Sequence, residues 1–156
     1  MKLNKDSLST AIIFLVLLTI ITVSLSYGVI SQKTLIGPIL LFLGLVSLFP
    51  LFFYKIPLQI VKADIIFGII DNGLLALFAL AGAELFGILG AVVGSLVGNA
   101  VTDGFAGIFE GYEWQKIIHR KTKENRTTLT VAVGKLCGCL FGAGTVLTIF
   151  WTLLKN

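Results

Sequence analysis

Histidine and cysteine are almost absent from this chain, charge is scarce, and methionine occurs only as Met1: its 156 residues include one histidine, two cysteines and 13% charged side chains. The two cysteines, Cys137 and Cys139, lie two positions apart in an apolar run and point to different sides of a helix. That spacing excludes a disulfide framework, and no metal site is expected from them. His119 stands in a basic loop, where a solvated side chain is expected. No Ser-His-Asp, Cys-His or phosphate-loop pattern occurs, so the chain is expected not to be an enzyme. A phospholipid-headgroup transferase would need further aspartates and an arginine on adjacent turns, and Phe105, Ala106, Gly107 and Ile108 follow Asp103-Gly104 instead.

What is present is hydrocarbon. The chain is 56% hydrophobic with a mean hydropathy of +1.00, well above a soluble domain. Apolar runs fall at residues 11–30, 35–53, 65–80, 85–109 and 129–154, and a helix needs about 20 such residues to cross a bilayer. The expected architecture is all-α: one transmembrane domain, residues 1–156, built as a bundle of five transmembrane helices. No ten-residue alternation supports a barrel. The first run is longer than a signal-peptide core and no small-residue cleavage site follows, so it is expected to be a retained span.

The net charge of +4 does not point to nucleic acid, because the basic residues cluster in one short loop, residues 113–126, with Lys116, Arg120, Lys121, Lys123 and Arg126. The turn before the fourth run holds only Glu84. By the positive-inside rule the basic loop is cytoplasmic, and so is the loop with Lys55 and Lys62. The N-terminus is then cytoplasmic and the C-terminus outside. Attraction of the basic loop to anionic headgroups is a plausible addition. The sequon-like Asn125-Arg126-Thr127 is a chance match on that side, and Trp114 and Trp151 suit interfacial anchors. The expected location is a plasma membrane of prokaryotic type, with the lipid bilayer as surroundings.

Glycines recur at four-residue spacing in the fourth run (Gly87, Gly90, Gly94, Gly98, then Gly104, Gly107 and Gly111) and in the fifth (Gly134, Gly138, Gly142 and Gly144). Such ladders let helix backbones approach closely, whereas the first two runs are bulky, as in a lipid-facing layer. Against this background several polar residues stand out. Asp71-Asn72-Gly73 interrupts the third run, Asn99 and Asp103-Gly104 the fourth, Glu110 ends it, and Lys135 lies within the fifth. Intramembrane charges are costly and normally face a bundle interior.

At about 1.5 Å of rise per residue, Asp71 lies roughly 9 Å from the cytoplasmic side, Asn99 about 21 Å and Asp103 about 27 Å from the outer side, and Lys135 roughly 12 Å from the cytoplasm. All four fall in the cytoplasmic half. Asn99, Asp103, Ala106 and Glu110 share a helical face leading to Glu113 and Asp64 at the cytoplasmic mouth. Carboxylate and amide oxygens are the ligands of hard or borderline divalent cations, and two broken helices meeting in a membrane can add backbone carbonyls. The expected metal-binding residues are therefore Asp71, Asn72, Asn99, Asp103, Glu110 and Glu113, with Asp64 at the mouth and Lys135 as charge partner or gate. The divalent metal ion is the substrate rather than a cofactor. The alternative is a membrane scaffold or accessory subunit in which Asp71, Asp103 and Lys135 form a structural charge network.

Two stretches carry a resemblance. Ala63-Asp64-Ile65-Ile66-Phe67-Gly68-Ile69-Ile70-Asp71-Asn72-Gly73, followed by Ala81-Gly82-Ala83, resembles the first helix of the vacuolar iron transporter family. Gly98-Asn99-Ala100-Val101-Thr102-Asp103-Gly104, continuing to Glu110-Gly111-Tyr112-Glu113, resembles its second helix. Together they cover about a third of the chain. The resemblance implies a homodimer with five spans per protomer that exports ferrous iron or manganese in exchange for protons. Asp71 would match the buried aspartate of the family's first helix, and Glu110 or Glu113 the glutamate of the second helix's Gly-Glu-Tyr motif. The chain departs from the family in three ways: two helices precede the match, no glutamate-rich cytoplasmic insert follows it, and no methionine accompanies the site. A soft thioether favours iron over magnesium, so the expectation is a divalent cation of the iron, manganese or magnesium kind.

Overall fold

The computed structural model describes residues 5–29, 31–120 and 127–154, with the backbone alone for residues 5–8, 11, 109–111 and 113–120. Every regular element among them is helical: α1 (Lys5–Val29), α2 (Lys33–Ser47), a short α3 (Phe49–Phe53), α4 (Leu58–Arg120), α5 (Thr128–Ile149) and a closing π-helical turn, Phe150–Leu154. Four stretches are long and apolar enough to cross a membrane: residues 12–29, 33–53, 58–108 and 128–154. Large apolar side chains such as Ile20, Phe42 and Leu89 stand exposed on them. Such a surface is a liability in water and the required one in lipid.

Local chemistry sets the boundaries. The second expected span breaks at Leu48, and α3 restarts the helix with Pro50 at its first positions, where a missing N–H costs nothing. α5 opens with a capping box: Thr127 accepts from the Thr130 backbone N–H, and the Thr127 N–H donates to Thr130 Oγ1 at 2.9 Å. The helical run of α4 extends through Arg120, so the first part of the expected basic loop is helix.

The 63-residue α4 is not one rod. Phe86 and Gly87 leave helical geometry, and Gly87 at φ 64°, ψ −143° occupies a region essentially closed to residues with a Cβ. The chain reverses there. Gly82 meets the backbone of Gly90, Gly94 meets Phe78, and Gly98 meets Leu75, so residues 58–85 (the first arm) and 88–120 (the second arm) run antiparallel in contact. A side chain on Gly82 or Gly90 would strike the opposite carbonyl, which is why the ladder is glycine.

The same device operates where the first arm meets α5. Gly134 meets Val61 and Asp64, Gly138 meets Ile65 and Gly68, and Gly142 meets Ile69 and Gly73, a parallel pairing of α5 with the first arm. α2 packs antiparallel on α5, with Gly37 against Gly144 and Thr148 and Gly44 against Phe141. α2 is therefore more than the lipid-facing layer its bulky sequence suggests. Leu51, Val61, Leu129 and Val133 form one buried cluster, and Leu18, Leu43 and Leu140 another. α5 packs on both α2 and the first arm of α4, and the second arm packs on the first.

Candidate functional site

The antiparallel arms bring their polar residues to one level. Asp71 lies roughly 20 Å along the first arm from Leu58, and Thr102 of the second arm faces it. The Thr102 hydroxyl donates to the Asp71 carboxylate. It also lies 3.1 Å from the Gly98 carbonyl and 3.0 Å from that of Asn99, but a hydroxyl has one proton and the carboxylate is the strongest acceptor of the three. Thr102 is buried because it continues the spacing of Gly90, Gly94 and Gly98 that faces the first arm.

Asp103 stands next to Thr102 on the exposed flank of the second arm. One turn before it, the Asn99 amide donates to Asp103 Oδ2 at 2.9 Å. Asn99 Oδ1 and Asp103 Oδ1 keep free lone pairs among the described residues. No lysine or arginine forms an ion pair with Asp71 or Asp103 among the described residues. The oxygens at this level are thus one half-buried carboxylate held by a hydroxyl and one exposed carboxylate held by an amide.

Several expectations are corrected here. Asp71-Asn72-Gly73 and Asp103-Gly104 do not interrupt their helices, so no unwound carbonyl joins the site; the break lies at Phe86 and Gly87. Asn99 and Asp103 do not share their surroundings with Ala106, which is buried while they are exposed. Asp64 is not an open mouth: it is 4% exposed, with Gly134 against its Cβ. Asn72 is half-buried beside Asp71. The Glu110 and Glu113 side chains lie outside the described residues, as do the Trp114 and His119 side chains and the Asn125 sequon.

Lys135 of α5 places its ammonium 5.2 Å from the centre of the Phe67 ring, one turn from Asp71. Aromatic faces accept cations where water is scarce, so this contact holds the charge beside Asp71's helix. Cys139, one turn further along α5, lies within electrostatic reach of both Asp71 and Lys135. Thr102 and Cys139 are the residues sequence reasoning misses. The four-residue spacing of Gly90, Gly94, Gly98 and Thr102 is the signal that locates the threonine; nothing comparable singles out the cysteine.

Among the described residues no group of three or more His, Cys, Asp and Glu side chains converges in a way that could hold a metal ion. The chain matches no protein-family model, no curated protein and no solved structure.

Proposed function

We propose that the protein is a membrane transporter of divalent cations, of the iron, manganese or magnesium kind, working as a homodimer in a plasma membrane of prokaryotic type. The observation that carries this reading is the hairpin of α4, which sets the Asp71–Thr102 pair beside the Asn99–Asp103 pair. Each arm is long enough to cross, about 40 Å for residues 58–85 and about 30 Å for residues 88–108, which makes five crossings. Lysine and arginine placement then puts the N-terminus in the cytoplasm and the C-terminus outside.

The homodimer follows from the incompleteness of one chain. Asn99 and Asp103 face outward at a depth where lipid would leave a carboxylate and an amide unsatisfied. Gly104 and Gly107 on the same arm have nothing within 4 Å of an added Cβ, so the flank has room for a second backbone. Two copies meeting there would supply two Asp103 carboxylates and two Asn99 amides, with an Asp71 behind each. Protonation of one carboxylate would release the ion, which couples transport to protons.

The test is metal flux into proteoliposomes. Asp71→Ala and Asp103→Ala abolish uptake of manganese while each variant still folds in detergent. Unchanged flux in both removes the proposal. The scaffold reading draws on one observation, that each carboxylate already has a hydrogen-bond partner within its own chain. It predicts that Asp71→Asn stabilises the detergent-solubilised protein and that no divalent ion shifts its melting temperature.

A further inference from the structure

Below the level of Asp71, the start of the first arm and the end of α2 enclose a groove of about 250 Å³. It is lined by Leu48, Leu58, Gln59, Lys62, Ile65 and Ile66. Its chemistry is graded. Gln59 and Lys62 line it near the start of the arm, while Ile65 and Ile66 lie one turn further along, roughly 6 Å deeper. Lys62 is exposed and, among the described residues, has no acidic partner. Asp64, the nearest carboxylate in sequence, is buried on the α5 side of the arm and does not face this groove.

The adjoining turn adds to the pattern. Lys55 is exposed, also lacks an acidic partner among the described residues, and takes a left-handed backbone at φ 52°, where glycine would be at ease. Beside it Phe49, Phe52, Phe53 and Tyr54 stand exposed, with Phe53 packed against both Phe49 and Tyr54. Of these rings Tyr54, next to Lys55, marks the level of the headgroups.

We infer that this corner is a binding site for one anionic phospholipid, its acyl chain along Leu48, Ile65 and Ile66 and its phosphate held by Lys62 and Lys55. The occupant is a lipid rather than free phosphate because most of the lining is apolar and only one end is charged. It is an anionic lipid rather than a zwitterionic one because, among the described residues, the Lys55 and Lys62 ammonium groups have no carboxylate beside them to receive a choline. The long lysine stems cover apolar surface while their ends reach outward to the headgroup level. This site is independent of the cation path in the hairpin.

The test is native mass spectrometry of the full chain in detergent, titrated with phosphatidylglycerol or with phosphatidylcholine of the same acyl chains. The wild type retains one phosphatidylglycerol per chain in preference to phosphatidylcholine. Lys62→Gln lowers that preference about fivefold, and Lys55→Gln with Lys62→Gln removes most of it, since each lysine near a headgroup contributes about that factor. Ile66→Trp, which fills the groove, lowers retention of both lipids. Lys33→Gln, at the other end of the molecule, leaves the preference unchanged. Wild-type preference in the double variant overturns the assignment, and so does an equal loss in Lys33→Gln, which would show bulk charge rather than a site.

Discussion

The two flanks of the hairpin use glycine in opposite ways. Where the first arm meets α5, Gly134, Gly138 and Gly142 lie against backbone, and a methyl group on any of them would collide. On the second arm, Gly104 and Gly107 lie three residues apart, and a Cβ added to either would meet nothing within 4 Å. Between the two regions, polarity reverses as well. The α5 seam is closed by Val61 and Val133, both fully buried, whereas the second arm turns Asn99 and Asp103 outward. Glycines with a neighbour mark a finished interface; glycines beside exposed polar groups mark the face that, in the homodimer proposed above, a second copy would cover.

That contrast can be broken by substitution. Gly138→Leu forces two backbones apart and costs about 3 kcal/mol or more, so the variant fails to give a cooperative melt in detergent. Gly104→Leu with Gly107→Leu changes the melt of the single chain by less than about 0.5 kcal/mol. The same pair weakens dimerisation at least about tenfold, read by size-exclusion light scattering across a dilution series, a change of about 1.4 kcal/mol. If Gly138→Leu and the Gly104→Leu, Gly107→Leu double variant destabilise the single chain equally, the two flanks are alike and the distinction fails.

Smaller effects sharpen it. Thr102→Val removes the donor to Asp71 and costs about 1 kcal/mol of stability in detergent, measured by thermal melting. Restoring a hydroxyl with Thr102→Ser recovers most of the loss. Phe67→Leu removes the ring under the Lys135 ammonium and costs about 0.5 kcal/mol.

The apolar runs locate the helices because the thickness of a bilayer, not any particular partner, sets their length, and that signal is local. Interruptions are harder. Asp71-Asn72-Gly73 looks like a breaker by the rules of soluble helices, yet in lipid an unbonded backbone costs more than a poor helix former, so the helix continues. The reversal falls at Phe86 and Gly87, two to three residues past the turn expected around Glu84, because its cause is the φ of one glycine in a ladder of similar glycines. Asp64 looks like a mouth residue by its position at the edge of an apolar run. Its burial follows from Gly134, 70 positions away, which lets α5 close over it. Burial of that kind depends on tertiary pairing and leaves no local trace.

The part of the site legible in advance is the set of oxygen-bearing residues, Asp71, Asn99 and Asp103. Their arrangement is not, since Asp71 bonds the neighbour of Asp103 rather than facing Asp103 itself. The most direct measurement is the anomalous difference density of crystals soaked in manganese. The account predicts a peak at the level of Asp71 and Asp103, between the outward flanks of two second arms. No peak there, with the flanks facing lipid in every copy, would contradict it.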